Sequence, residues 1–318
     1  MNWGFLGYGG IAPVFQASLD EVKHQKLVAV ASKSGSPTLT TGTGRIKTYD
    51  QYESLLEDND VEIVYISTTH NYHFENVLSA LDHGKHVLCE KPLGLSADQV
   101  VEMTAFANEK KLFLMEALWT KFLPAFEHAM QVVHSGRLGQ IWMVRSDFGL
   151  GRTRDDRSRL WNPQLAGGSL YDLGVYNIFL ANQVFGSEPS TIDARARVLD
   201  TGIDEYMSLQ FQYSDGGVAQ LFSSLSLKTA WDGIIYGANG SIVMKEFFKC
   251  QDMAIEINGE TSQVALPFRS TGYYHEIVHV VDCIQTGRLE SPLFSHQDSL
   301  NSAMLVDKAL GKVNYGKI

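Results

Sequence analysis

Five short apolar runs punctuate the first third of the chain: NWGFLG (2–7), KLVAVAS (26–32), VEIVYIS (61–67), KHVLCE (85–90) and KLFLMEA (111–117). Their apolar stretches are continuous rather than alternating with polar residues, so they predict strands covered on both faces. Helical spacing follows the first run from about Gly10 to Val22, and separates the last three at Tyr72 to Leu81 and Ser96 to Asn108. The last of these opens on Ser96, a residue type suited to an N-cap. Strands alternating with helices predict a parallel sheet with helices on both sides. The segment after the second run, SGSPTLTTGTGR (34–45), is too rich in Gly, Ser and Thr for a helix and predicts a loop or a shortened crossover.

Beyond Trp119 the pattern changes. A helix from about Pro124 to Ser135 leads through GRLG into QIWMVRSDFG, then a polar stretch rich in Arg and Asp (152–159) and WNPQLAGGSLYDLGVYNIFLANQVFG. Period-two segments follow: TIDARARVL, EYMSLQFQYSDGGVAQLFSSLSL, DGIIYGANGSIVMKEFF and MAIEINGETSQVAL, broken by SDGG, NG and NGE turns. This alternation predicts an antiparallel sheet whose apolar face needs helices or a second subunit to cover it. A chain of 318 residues suits two domains, taken here as 1–120 and 121–318.

Composition narrows the function classes. With 44% hydrophobic and 19% charged residues the chain is an ordinary globular protein, and no stretch approaches the roughly 18 to 20 uncharged apolar residues of a membrane span. The opening MNWGFLGYGGIAP lacks the basic start of a signal peptide. Cys89, Cys250 and Cys283 are odd in number and share no ligand-like spacing, which points to a reducing cytoplasm. A net charge of -10 opposes a nucleic-acid surface, while leaving room for a local basic pocket.

The first strand ends in G7-Y-G9-G10-I11-A12. Gly7, Gly9 and Ala12 are small where a dinucleotide fold needs a tight turn, close approach of a pyrophosphate and helix-on-strand packing, and Pro13 suits a first helical turn. The fold class is therefore α/β: an N-terminal Rossmann dinucleotide-binding domain with a C-terminal α+β domain on a largely antiparallel open sheet. Ligands of such sheets lie beyond the carboxyl ends of the strands. That edge holds Ser67, Thr68, Thr69 and His70, then Glu90, Lys91 and Pro92, then Glu116 to Trp119. The second strand ends on Ser32-Lys33, where an NAD site would carry an acid; a hydroxyl and a cation suit a 2′-phosphate, with Arg45 a more distant helper, so NADP(H) is expected over NAD(H).

In GGSLYDLGVYNIF, Asp172 and Tyr176 are four apart and share a helix face. A carboxylate beside a phenol orients it and tunes its proton affinity. Ser169-x-x-Asp172 is also a capping box, which favours a structural role for Asp172 on periodicity alone, and Tyr171 competes as the active phenol. HEIVH (275–279) matches a zinc helix motif, but no clear third ligand follows it, although Glu290, His296 and Asp298 stand nearby in sequence, and the apolar face of YYHEIVHVVDCIQ explains its pattern.

The glycine fingerprint, VYISTTHNYHFENVLSALDHGKHVLCEKPLG, MEALWTKFLPA, AGGSLYDLGVY and TGYYHEIVHVVDCIQTGRLESP together resemble the glucose-fructose oxidoreductase / inositol dehydrogenase (Gfo/Idh/MocA) family over almost the whole chain. LWTKFLPA and the tyrosine of DLGVY resemble its dihydrodiol and D-xylose dehydrogenase branch. The resemblance implies a metal-free redox enzyme in which Lys91 touches nicotinamide and substrate, the Lys91–Pro92 bond is often cis, and Tyr176, with Lys91 and Asp172, is the acid/base. Histidine replaces Tyr176 in many relatives, which puts inositol in doubt as the substrate. The expected cofactor contacts are Gly7, Gly9, Gly10, Ile11, Ala12, Ser32, Lys33, Ser67, Thr68, Thr69, His70, His73, Glu90, Lys91, Pro92 and Trp119. Substrate hydroxyls would meet Lys121, Arg152, Trp161 and Asn162, with Trp119 and Trp161 equally suited to packing. A small polyhydroxylated or diol substrate and a homodimer through the C-terminal sheet complete the expectation. The alternative is a regulatory protein that keeps the NAD(P)-binding fold without catalysis.

Overall fold

The computed structural model describes residues 1–32, 40–41 and 44–313. The chain divides into two units, the first built from 1–94, 98–119 and 269–300 and the second from 95–97, 120–268 and 301–318.

In the first unit, β1 (Asn2–Leu6), α1 (Ala12–Leu19), β2 (Lys26–Ala31), β3 (Thr40–Thr41), β4 (Gly44–Arg45), β5 (Lys47–Tyr49), α2 (Tyr52–Leu56), β6 (Ile63–Ile66), α3 (His73–Asp82), β7 (His86–Glu90), α4 (Ala97–Lys110) and β8 (Leu114–Ala117) follow in order. Six strands pair in the order β5-β2-β1-β6-β7-β8, every neighbour parallel. The five apolar runs are β1, β2, β6, β7 and β8, the last of them at one edge of the sheet. The sixth, β5, is short and largely polar (KTY) at the sheet edge, so its residues carry no apolar signal. The Gly/Ser/Thr segment contains an antiparallel pair, β3 with β4. Lys33 and the side chain of Arg45 lie outside the described residues. Phe15 of α1 stacks on Tyr65 of β6 with ring centroids 3.8 Å apart, and Phe5 meets the same ring edge-on at 5.1 Å. These contacts fix α1, and with it the glycine loop, over the sheet.

The second unit runs α5 (Pro124–His134), β9 (Ile141–Gly149), α6 (Val175–Phe185), β10 (Thr191–Val198), β11 (Asp204–Gln212), β12 (Val218–Ser224), β13 (Gly233–Gly237), β14 (Gly240–Met244), β15 (Asp252–Ile257) and β16 (Glu260–Ala265). Its eight strands order as β10-β11-β12-β9-β13-β14-β15-β16, antiparallel except where β12 meets β9. Along β11, Met207, Leu209 and Phe211 are buried while Ser208, Gln210 and Gln212 are exposed. The buried face is roofed by α6: at Gly233 of β13 an added Cβ would come within 3.0 Å of Leu180. Phe126 of α5 stacks on Phe179 of α6 at 5.1 Å, so α5 forms a further layer.

The chain then enters α7 (Tyr273–Gln285) and α8 (His296–Lys312). An unbroken second domain of 121–318 is not how the chain packs, because Arg269–Leu300 returns to the first unit. Tyr273 of α7 stacks on Trp119 at 4.8 Å and meets Phe15 at 5.6 Å, Arg269 pairs with Glu21 at 3.0 Å, and Leu114 N donates to Leu289 O at 3.1 Å. These apolar partners lie in the first unit, and burying aromatic area outweighs continuity along the chain. Among the described residues no helix is long and apolar enough to cross a membrane.

Candidate active site

In the first unit the chemistry gathers at the carboxyl ends of β1, β6, β7 and β8. Gly7 turns the chain out of β1 at φ +85°, where a Cβ would also sit 3.0 Å from Ser67 O, so glycine is required twice over. At Gly9 and Gly10 an added Cβ would meet nothing within 4 Å. The backbone from Gly9 to Ile11 therefore faces open space before the N-terminus of α1, the geometry that accepts a pyrophosphate. Ala12 is wholly buried under the helix. These residues fit a dinucleotide. Ser67 ties the loop to its neighbour, its hydroxyl donating to Gly7 O at 3.1 Å. Ser32 is buried, its amide donating to Tyr49 O at 3.1 Å.

The next strand end is more constrained. The Lys91–Pro92 bond is cis. His73 is wholly buried, with Nδ1 2.8 Å from Pro92 O and Nε2 3.2 Å from Thr68 O. It therefore braces the Lys91–Pro92 turn against the loop after β6. Asn76 Nδ2 donates to Thr68 Oγ1 at 3.1 Å, and Thr69 Oγ1 to Asn71 Oδ1 at 2.8 Å. His70 is also buried, its ring 5.6 Å from that of His73. Trp119 is buried beneath Tyr273, as packing requires.

Behind the turn lie three acids. Glu90 is buried and accepts from the Tyr65 hydroxyl at 2.6 Å. Glu116 is buried and accepts from Leu93 N at 3.1 Å. Burial pushes the Glu116 carboxyl up to about 7, with Glu90 adding to the rise, while the Ser299 hydroxyl, Leu93 N and the Lys91 ammonium oppose it. Glu276 of α7 is fully buried, and neither carboxyl oxygen has a hydrogen-bond partner among the described residues. Burial, then Glu90 and Glu116, drive its carboxyl well above the usual range. The imidazoles flanking it in HEIVH are engaged elsewhere: His275 Nε2 accepts from Arg269 N at 3.1 Å, and His279 Nε2 lies 2.8 Å from Ser291 Oγ. The sequence put Glu116 on the binding edge and Glu276 in HEIVH but gave neither a role, because an acid within an apolar run carries no sign of what faces it.

In the second unit, Asp172 and Tyr176 enter through a turn of π-helix, Leu170–Gly174, that leads into α6. Such turns are rare and recur at functional sites. The capping-box expectation for Asp172 is overturned. The buried Asp204 of β11 takes that task, accepting from Leu170 N at 2.7 Å and from Ser169 Oγ at 2.8 Å. Asp172 is released to another partner and accepts from Arg159 Nη2 at 2.9 Å. Arg159 sits in a single 3-10 turn, Arg159–Trp161, begun by Ser158, whose Oγ accepts from Leu160 N. Gly167 lets the following strand of chain return over this turn, since a Cβ there would lie 2.5 Å from Leu160 O.

Tyr176 is 6% exposed, its ring 5.7 Å from Phe148 and 5.8 Å from Phe248. Trp231 completes this aromatic wall at 5.6 Å from Phe148, in a left-handed conformation at φ +69° held by Nε1 donating to Gly149 O at 2.6 Å. Tyr171 is unsuited to proton exchange. Its hydroxyl donates to Leu95 O at 2.8 Å, and burial, then Asp307 and Asp204, push it up to about 12. Of the expected substrate contacts, Trp161 is buried at 2% exposure and belongs to the core. Asn162 Oδ1 accepts from Gln164 N at 2.9 Å and shapes the loop. Lys121 Nζ donates to Gln183 Oε1, and Arg152 is exposed.

Residues 1–118 match a family model described as "Oxidoreductase family, NAD-binding Rossmann fold", and residues 126–243 match "GFO/IDH/MocA C-terminal domain". The chain is 32% identical to the trans-1,2-dihydrobenzene-1,2-diol dehydrogenase of Mus musculus, over 97% of this chain and 96% of that protein. Two solved structures share the fold at 24% identity. An aldose-aldose oxidoreductase from Caulobacter crescentus complexed with glycerol superposes with TM-score 0.86, covering 100% of this chain and 98% of its own. A 3-ketoreductase from Actinomadura kijaniata, solved with NADP and TDP-benzene, gives 0.85 over 98% and 97%.

Proposed function

The chain belongs to the Gfo/Idh/MocA oxidoreductase family, and from that premise we propose that it transfers hydride between NADP(H) and the CH–OH or carbonyl carbon of a sugar, polyol or cyclic trans-diol. It is an NAD(P)-dependent dehydrogenase. The observation that carries this reading is the pairing, along one edge of a parallel sheet, of an open glycine loop with the braced Lys91–Pro92 turn.

The cofactor supplies the redox chemistry, and the protein supplies alignment and a proton acceptor. Gly7, Gly9, Gly10, Ile11 and Ala12 hold the pyrophosphate, and Ser67 to His70, His73 and Glu90 to Pro92 shape the nicotinamide end. In the oxidative direction Tyr176 takes the proton of the substrate hydroxyl. A free phenol, with a pKa near 10, is a poor base at neutral pH, and each pKa unit taken off it is worth about 1.4 kcal/mol. The family resemblance assigns Lys91 and Asp172 as the groups that assist this phenol, and Asp172 is held by Arg159. Phe148, Trp231 and Phe248 keep water from that phenol.

Ser32 and Lys33, with no acid at the end of β2, favour NADP(H) over NAD(H), as the NADP bound to the Actinomadura 3-ketoreductase also suggests. The sheet face opposite α6 carries Tyr206, Phe222, Ile234, Tyr236 and Val243, each exposed or half-buried, which supports a homodimer through that face. Sedimentation at micromolar protein checks it, with a species of twice the chain mass expected and a clean monomer against it. Three free cysteines suit a reducing cytoplasm.

The deciding experiment is a screen of aldoses, polyols and cyclic trans-diols with NADP⁺, reading absorbance of the reduced cofactor, beside titration of the apo-protein with NADP(H) and NAD(H). Turnover with tighter NADP(H) binding is expected. Tight cofactor binding with no turnover across the panel would replace this reading with a regulatory protein, and a preference for NAD(H) that survives Lys33→Ala would remove the 2′-phosphate assignment.

A further inference from the structure

All four residues of β6, IVYI, are buried. The only polar side-chain atom among them is the Tyr65 hydroxyl. A phenylalanine would fill the same ring space without taking a hydroxyl out of water, so the oxygen is accounted for by the bond it makes. That bond runs to Glu90 Oε1 at 2.6 Å. The strand register explains the reach. Tyr65 pairs with Leu88, and Glu90, two residues further along β7, presents its side chain on the same face of the sheet. Burial, then the charge of Glu90, drives the Tyr65 phenol well above its usual range, so the hydroxyl keeps its proton and donates.

The ring has partners of its own. Phe15 of α1 stacks on it with centroids 3.8 Å apart and 12° between the planes, and Phe5 of β1 meets it edge-on at 5.1 Å. One side chain therefore touches the helix that follows the glycine loop and, through its hydroxyl, the residue directly before Lys91. On the far side of Lys91, Pro92 O is held by His73 Nδ1 at 2.8 Å. Lys91 thus stands between two residues that are each anchored from outside the turn.

We infer that Tyr65 is a positioning residue for the hydride transfer: it sets where the Lys91–Pro92 turn lies relative to the glycine loop, and so where the Lys91 ammonium meets a cofactor anchored by its pyrophosphate. This rests on the proposed reading of that loop and of Lys91. Tyr65 is wholly buried and has no surface to offer substrate or cofactor. Its two arms differ in consequence. The ring packs α1, whereas the hydroxyl fixes the strand end that carries Lys91. Losing the hydroxyl leaves the pyrophosphate anchor in place and misaims the ammonium, which costs rate rather than cofactor affinity.

The test is a double-mutant cycle of Tyr65→Phe with Lys91→Ala in the full-length protein, with NADP⁺ and with trans-cyclohexane-1,2-diol and D-xylose as probe substrates. Tyr65→Phe keeps the ring and removes only the hydroxyl. It should lower kcat by about 10- to 100-fold, with Kd for NADP⁺ and KM for the probe little changed. In the Lys91→Ala background the same change should cost almost nothing further, because the hydroxyl acts through Lys91. A lower melting temperature is expected whichever role the hydroxyl has, since Glu90 loses its donor, so the melt does not decide. Wild-type kcat in Tyr65→Phe beside an impaired Lys91→Ala overturns the inference and leaves the proposed function standing. Losses that multiply in the double variant also overturn it, because the hydroxyl then acts apart from Lys91. Wild-type turnover in Lys91→Ala overturns the reading of Lys91 itself. Should neither probe turn over, the fluorescence of bound NADPH decides. At saturation its emission should differ between wild type and Tyr65→Phe, and the difference should vanish in the Lys91→Ala background; identical emission overturns the inference. Should Tyr65→Phe fail to fold, Glu90→Ala removes the same bond from its other end and carries the same expectation of non-additivity with Lys91→Ala.

Discussion

Arg159 Nη2 donates to Asp172 Oδ1 across 2.9 Å, joining a half-exposed guanidinium to a carboxylate that is only 8% exposed. The pair explains how an acid about one turn ahead of Tyr176 stays fixed without capping its own helix. Replacing Arg159 by Gln removes the charge but leaves a donor. We expect a stability loss of about 1 kcal/mol, small because the half-exposed guanidinium is screened by solvent. Turnover should fall several-fold with cofactor affinity unchanged, which stopped-flow kinetics beside a cofactor titration would read. Full wild-type turnover would mean that Asp172 needs no orienting partner.

Lys91→Ala should leave a folded protein that binds NADP(H) and turns over poorly. Tyr176→Phe removes only the hydroxyl and should lower the rate by roughly 10² to 10⁴, the usual worth of a general acid/base. The double variant should lose far less than the product of the two, as expected of groups that act as a unit. Circular dichroism and cofactor binding separate these losses from misfolding. Wild-type turnover in both single variants would remove the site from consideration.

Asp204 ties the capping of the α6 entrance to pH. Its buried carboxyl is raised from 3.8 to about 6, chiefly by burial, against the hydroxyl and amide that donate to it. Between those values the folded chain holds one proton more than the unfolded chain, so this group's contribution to stability falls as pH rises through the window and stays low above it. Asp204→Asn keeps an acceptor and removes the charge. Relative to wild type, its unfolding free energy from urea titration should improve from pH 4 to pH 6.5 by at most about 3 kcal/mol, the value of a two-unit shift. A difference that does not vary with pH would show that the carboxyl titrates normally in the fold.

Gly168→Ala should be among the most damaging single changes in the second unit. Gly168 lies at φ +121°, and an added Cβ would fall 2.2 Å from Asp204 Oδ1. Backbone strain alone is worth about 1–3 kcal/mol, and displacing Asp204 releases Leu170 N and Ser169 Oγ as well. A thermal melt should show a clear drop, whereas Gly186→Ala, with nothing within 4 Å of the added carbon, should show only the milder penalty of its positive φ.

The local text determined a great deal about this protein. Continuous apolar runs can only be satisfied by cover on both faces, so VEIVYIS and KHVLCE announce a parallel sheet before any contact is known. The β11 alternation announces one buried face, and G7-Y-G9-G10-I-A12 announces its turn because glycine alone accepts the backbone that Gly7 adopts. What the tertiary structure decided was which groups meet. Ser169 and Asp172 have the spacing of a capping box, yet Asp204, from a strand 35 residues away, reaches Ser169 first. Tyr171 and Tyr176 are equivalent as text, and only the hydroxyl of Tyr171 on Leu95 O and its burial separate them. The return of α7 to the first unit follows from aromatic partners at Phe15 and Trp119, and it takes Glu276 into the buried interior with it. Patterning is a property of neighbours along the chain, so sequence states which face is buried. Charge pairing and proton affinity depend on what stands across the core, and only the folded chain brings those groups together.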